Sequence, residues 1–144
     1  MDNSRRTLLQ SLPLGFGALA LTSAAWGGDQ PVASFATPFD QLPVHQNGAN
    51  LSRPILNGVA HDGSHIEVHE TTLAPGSEPH APHHHVHEEL FLLSRGNVDL
   101  TIVGKTTTLG PGSAAFIHSG EQHGVRNNGS EPAQYFVVAF GEQT

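Results

Sequence analysis

From Ile55 onward, short apolar runs alternate with turn residues. Asp62-Gly63, Pro75-Gly76, Arg95-Gly96-Asn97, Gly104-Lys105, Gly110-Pro111-Gly112, Ser119-Gly120 and Asn127-Asn128-Gly129 punctuate the chain, at the roughly 8- to 12-residue spacing of an all-β sandwich or barrel. Between them, segments rich in Val, Ile, Thr and Phe predict strands over His65 to Leu73, Glu89 to Ser94, Val98 to Val103, Thr106 to Leu109, Ala114 to Ile117 and Gln134 to Phe140. After Gln30 every ten-residue stretch of helical period is interrupted by Gly or Pro, so the expected class is all-β. Asp29 to about Pro54 is weakly patterned and reads as an arm or irregular edge segment. Seven or eight short antiparallel strands leave exposed edges, a problem solved by closure into a small barrel or a two-sheet jelly roll. Such a barrel holds a small ligand in its mouth.

The first residues obey a different logic. Arg5-Arg6 precedes an apolar stretch from Leu12 to Leu21 and then the small residues Thr22-Ser23-Ala24-Ala25. That is the order of a removable export signal, and Ser4-Arg5-Arg6-Thr7-Leu8-Leu9 resembles a twin-arginine address to the bacterial periplasm. The apolar stretch, broken by Gly15 and Gly17, falls short of the ~20 residues that span a bilayer. The expected organisation is therefore a signal over 1–25, an N-terminal arm over 26–54 and a β-barrel domain over 55–144.

Composition narrows the chemistry. One domain with one core fits 144 residues, and the lack of Cys excludes disulfides and CxxC redox or zinc motifs. A formal charge of −7, from six basic and thirteen acidic residues, argues against nucleic-acid or anionic-membrane partners and leaves a small molecule as the expected one. Against this sparse charge stand eleven His.

Pro79-His80-Ala81-Pro82-His83-His84-His85-Val86-His87-Glu88-Glu89 holds five of them. Alternate residues of an extended segment share a face, so His83 and His85 converge from a curved strand while His84 points away. A turn around Val86 to Glu88 returns the Glu89 carboxylate to the same side, and a neighbouring strand can bring His123 to face them. Three imidazoles and one carboxylate suit a single divalent first-row metal, with iron(II) or manganese(II) favoured and nickel, cobalt or zinc also compatible. The opposing reading is a solvated, weakly metal-sticky loop. Leu90-Phe91-Leu92-Leu93, an apolar strand directly after Glu89, and the distant His123 in a Gly-bounded turn argue against it.

These residues resemble the cupin family. Gly76, then His83-x-His85-x3-Glu89-x6-Gly96, is similar to the first cupin motif, with one extra residue before His83; Gly112-x5-His118-x-Gly120-x2-His123-x3-Asn127 is similar to the second, with His118 where proline is usual. The resemblance implies a cupin-type jelly-roll β-barrel whose metal is bound by His83, His85, Glu89 and His123, and, with the N-terminal arm, suggests a homodimer.

Strand alternation puts Glu89, Phe91 and Leu93 on one face and His123, Val125 and Asn127 on another, so Phe91 and Val125 are expected to wall the cavity. His69, Arg53 and Tyr135 are candidate polar contacts to substrate, Arg53 being the one for an anion, and His87 is a candidate support for the ligands. His80 and His84 read as exposed loop residues, His118 as partly exposed, and His45, His61 and His65 as surface. The expected function is a metal-dependent enzyme, oxygenase-type, with decarboxylase, isomerase or lyase chemistry within the family's range. The alternatives are an exported non-catalytic binding module and a metal buffer that uses the whole His cluster.

Overall fold

A computed structural model describes residues 31–141. The expected export signal over 1–25 lies outside the described residues, as do the first residues of the arm. After a short 3-10 turn at Phe39–Gln41, nine strands are arranged along the chain: β1 His45–Asn47, β2 Asn50–Val59, β3 His65–Leu73, β4 Glu88–Arg95, β5 Val98–Ile102, β6 Lys105–Leu109, β7 Ala114–Ile117, β8 His123–Arg126 and β9 Ala133–Phe140. They form a six-stranded sheet in the order β1-β2-β3-β9-β4-β7 and a three-stranded sheet in the order β6-β5-β8. All strand pairings are antiparallel.

The expected jelly roll is present as two sheets that are not closed into a barrel. An isolated bridge between His83 and His123 ties the chain ahead of β4 to β8 of the smaller sheet. The predicted strands recur with shifts of one residue or none at their ends, and the segment read as an arm differs: its last residues begin β2 at Asn50. Pro54 concealed that strand, because proline removes a ladder donor and breaks a strand pattern. Here it sits where the register against β3 shifts between Pro54 and Leu56, a bulge that leaves Ile55 unmatched.

Inward positions alternate. On β9, Ala133, Tyr135, Val137 and Ala139 are buried while the residues between them are half-buried. Leu73, Phe91, Leu93, Val98, Leu100, Ile117 and Val125 complete the core from both sheets. Two rows of the large sheet bear on the site. Glu67, Ala139, Glu89 and Ile117 are register partners across β3, β9, β4 and β7, and His69, Val137 and Phe91 form the next row.

Gly96 closes the β4–β5 turn at φ 76°, and a Cβ there would lie 2.7 Å from Ala133 Cα, so the turn requires glycine both for its backbone conformation and for space. At the same end Asn127, fully buried, donates through Nδ2 to Leu73 O at 3.1 Å and Glu131 O at 2.9 Å and accepts from Gly129 N at 2.9 Å. Asn50 braces the neighbouring loop, donating to Glu78 O at 2.9 Å and accepting from Ala74 N at 3.0 Å. Between them they fix the entry into the histidine-rich segment.

Candidate metal centre

The segment from Pro79 to His87 crosses the seam between the sheets. His83 and His123 exchange backbone hydrogen bonds, His83 N to His123 O at 3.0 Å and His123 N to His83 O at 2.8 Å, and Gly120 N donates to His85 O at 2.8 Å. Close approach depends on Gly124, where a Cβ would meet Pro82 Cγ at 3.0 Å and Pro82 Cα at 3.3 Å. The ring centroids of His83, His85 and His123 lie within 5.3 Å of one another, the 83–123 pair at 4.7 Å and the 85–123 pair at 4.8 Å. Each of these three residues offers a nitrogen within 4.8 Å of the other two.

Glu89, the first inward residue of β4, enters from the side. Its Oε1 is 3.0 Å from His85 Nε2 and its Oε2 3.5 Å from His123 Nε2. It thus meets two of the three imidazoles. It also belongs to a second donor group with His85 and His87. The His87 ring stacks on His85, centroids 3.6 Å apart at 11°, and its Nε2 is 3.5 Å from Glu89 Oε1.

Hydrogen bonding orients the rings. His85 Nδ1 faces the His87 carbonyl at 2.9 Å, and His123 Nδ1 faces the Glu121 carbonyl at 2.9 Å. A carbonyl only accepts, so each Nδ1 carries the proton and each neutral ring keeps its Nε2 lone pair for the centre, the arrangement by which backbone carbonyls orient metal-ligating histidines. His83 Nδ1 and His85 Nε2 are buried without a hydrogen-bond partner; the latter is near Glu89 but lacks hydrogen-bond alignment. Buried polar atoms are costly to leave unpaired. Three imidazoles that each bring a nitrogen to one point beside a carboxylate are the donor set of a divalent cation, and these residues fit one.

The electrostatics agree. Burial, then the positive charge that neighbouring His80, His123 and His85 would carry, lowers the His83 pKa to about 4, so its lone pair stays available in mild acid. Burial alone would raise the Glu89 pKa. When the His123 ring is protonated, the hydrogen bond its Nε2 donates and the charges of His85, His123 and His87 outweigh that effect and hold the carboxyl at about 2. The same hydrogen bond, donated by His123 and accepted by Glu89, raises the His123 pKa against the opposing effect of its burial.

Behind this cluster lies a cavity of about 70 Å³, room for a ligand of a few heavy atoms, with apolar walls that include Phe91, Ile117, Val125 and Val137. His69 and Tyr135 also line it. Tyr135 stacks on Phe91 with centroids 4.4 Å apart at 27°, and burial raises its pKa beyond the ordinary tyrosine range.

Arg53 corrects the expectation set for it. It does not line the cavity: it lies on the outer side of the large sheet, its Nη1 2.7 Å from the fully buried Glu70 carboxylate and its guanidinium 4.7 Å from the centre of the Phe39 ring. The partner for this cation is internal: Glu70 is its register partner on β3, and Phe39 of the arm packs over it. His80 departs in part from its expected place. It is exposed, yet it lines the cavity and stands edge-on to His83 at 4.2 Å. His65, expected at the surface, is half-buried with an unpartnered Nδ1. His84, His45 and His61 are exposed, as is His118, whose nearest carboxylate is Glu88 at 3.8 Å. Glu67 escaped sequence reasoning altogether, although His65-x-Glu67-x-His69 carries the alternation that puts it on the inner face.

Comparison with known proteins gives the same picture. Residues 69–139 match the family model of the cupin domain. Among solved structures, the fold is similar to an RmlC-like cupin from Shewanella frigidimarina at 14% identity (TM-score 0.65, 77% of this chain and 94% of that one). It is also similar to a predicted oxalate decarboxylase from Thermotoga maritima at 18% identity (TM-score 0.65, 75% and 100%). A polyketide cyclase from Streptomyces resistomycificus matches at 21% identity (TM-score 0.62, 76% and 81%). No curated protein matches the chain.

Proposed function

We propose that this chain, whose residues 69–139 match the cupin-domain model, is a cupin and a metal-dependent enzyme, of oxygenase type, acting on a small molecule in the cavity behind its histidine cluster. The observation that carries this reading is the convergence of His83, His85 and His123 with Glu89, two buried ring nitrogens being left without partners. These four residues would hold the ion, His85 and His123 through Nε2. A bound divalent ion, iron(II) or manganese(II) by preference, supplies Lewis-acid polarisation of a ligand oxygen and redox chemistry toward dioxygen.

The chain's own residues do the rest. Glu121 O and His87 O fix the two ring orientations, Glu89 compensates the positive charge, and Phe91, Val125 and Val137 exclude water from the ligand's inner side. The predicted oxalate decarboxylase and the polyketide cyclase among the similar structures are named for chemistry on small molecules, which supports that class of substrate. We place the protein in the periplasm, on the strength of Arg5-Arg6 and the apolar stretch after them.

The test is elemental analysis of the chain purified anaerobically from its own host compartment, followed by an oxygen-uptake screen with small organic acids, ketones and phenols. One metal per chain and substrate-dependent oxygen uptake support the reading. A metal-bound chain that turns over a substrate without oxygen would replace the oxygenase assignment with lyase or isomerase chemistry. Several ions per chain would mark a metal buffer.

A further inference from the structure

Beyond the histidine cluster, β3 carries a second pair of titratable groups, of which His69 lines the same cavity and Glu67 stands beside it outside the lining. Glu67 and His69 are two apart on that strand and both face inward, as register partners of Ala139 and Val137. His69 Nδ1 lies 3.2 Å from Glu67 Oε1. An ionised carboxylate only accepts, so Nδ1 carries the proton, and Nε2 is the nitrogen left for the cavity that His69 lines. Glu89 sits on β4, two strands from β3 and one row from His69. Strand spacing and the one-row offset put about 12 Å between their backbones, a gap that the two side chains and a ligand of a few heavy atoms fill.

We infer that Glu67 and His69 are the proton-transfer pair of this cavity, Glu67 positioning the ring so that His69 Nε2 takes a proton from a small ligand with an acidic O–H, or a C–H beside a carbonyl. The inference deepens the enzymatic reading above and rests on it for the ligand's location. In the step, the ligand's proton moves to Nε2 and the electron pair of the broken bond stays on the ligand oxygen or carbon. Neutral imidazole becomes imidazolium, held between the Glu67 carboxylate and the new anion, and the reverse step restores both. No oxidant or reductant is consumed. An imidazole held by a carboxylate on one nitrogen and offering a lone pair on the other is the arrangement by which histidine bases are oriented elsewhere. The hydrogen bond from His69 keeps the Glu67 pKa below the usual carboxylate range despite its burial, so the acceptor stays ionised.

Two measurements on the full chain test this. Long-range ¹H–¹⁵N NMR of the metal-free protein at pH 8 should show His69 as the Nδ1–H tautomer. Glu67→Ala should return it toward the Nε2–H form favoured in water, while Glu67→Gln, which retains an acceptor oxygen, should keep Nδ1–H. With the zinc-loaded chain in D₂O, pyruvate and dihydroxyacetone serve as probes, and their C–H for C–D exchange above that of zinc alone is monitored. His69→Gln should lower that exchange by about 100-fold or more with the metal-to-chain ratio unchanged. A tautomer indifferent to Glu67, equal exchange in His69→Gln, or no exchange of either probe by the wild type would each overturn the inference. A chain that binds no metal but shows the tautomer dependence supports the pair and contradicts the metal reading.

Discussion

His123 and Asn127 lie four residues apart on the same inward face of the same stretch of chain, both buried, at 6% and 0% exposure. They do opposite things with their polar atoms. Every hydrogen-bonding group of the Asn127 amide points to a backbone partner, so this end of the sandwich is a closed polar knot. At the other end, two carbonyls and one carboxylate orient the rings, and ring nitrogens are left facing one another. One region uses buried polarity to hold the fold. The other leaves it unpaired, at a cost to stability that a bound cation would recover.

That contrast is breakable by mutation. The largest effect expected on the fold is Asn127→Ala, which strands two carbonyls and one amide and should cost roughly 3 kcal/mol in urea denaturation. His83→Ala in metal-free protein should cost well under half of that, since it removes a poorly partnered group. A larger loss for His83→Ala would mean the histidines are structural. Conversely, His83→Ala and His123→Ala should weaken metal binding by about 100-fold or more, whereas the exposed His84→Ala and the bonded Asn127→Ala should leave the stoichiometry unchanged in whatever fraction folds.

Proton competition sharpens the comparison further. Only a neutral ring binds metal. His123, its pKa raised by Glu89, still carries its proton just above the ordinary value of 6.5, whereas His83, lowered to about 4, does not. Metal affinity should therefore begin to fall already above the ordinary histidine value as pH decreases, with protons released on metal binding in that range. Calorimetry in buffers of different ionisation enthalpy reads those protons directly; none released would contradict the Glu89–His123 coupling. Glu89→Gln should move the fall in affinity to lower pH, because it removes the group that raises His123.

Smaller effects are expected from backbone contacts. Gly124→Ala pushes Pro82 by a few tenths of an ångström and shifts His83 with it, so metal affinity should drop by about tenfold, the scale of changes around metal ligands, with little change in stability. Val103, an exposed β-branched residue held at φ 47°, belongs to neither region. Val103→Asn should stabilise the β5–β6 hairpin by about 1 kcal/mol and leave metal binding untouched.

Much of this contrast is readable before any coordinates. Alternation after Glu89 and His123 places Phe91, Leu93, Val125 and Asn127 inward, and Gly-bounded turns delimit the strands, because both depend on local rules. β2 escapes those rules, since a proline inside a strand is tolerated only where a bulge excuses it, and bulges are set by the partner strand. The fate of Arg53 is non-local in the same way. Its partner Glu70 is 17 residues away, and nothing in either residue's neighbourhood marks the pair. Which way a histidine's second nitrogen points depends on carbonyls such as Glu121 O, a feature of loop conformation that spacing does not encode.

The central claim is that one cation sits among His83, His85, His123 and Glu89 at the seam of the two sheets. Anomalous diffraction at the metal edge from crystals of the metal-loaded full chain tests it most directly. The expected result is one dominant peak within bonding distance, about 2.0–2.3 Å, of nitrogens from all three histidines. A dominant peak on exposed His84 or His118, or density spread over several histidines with none shared by residues 83, 85 and 123, would contradict it.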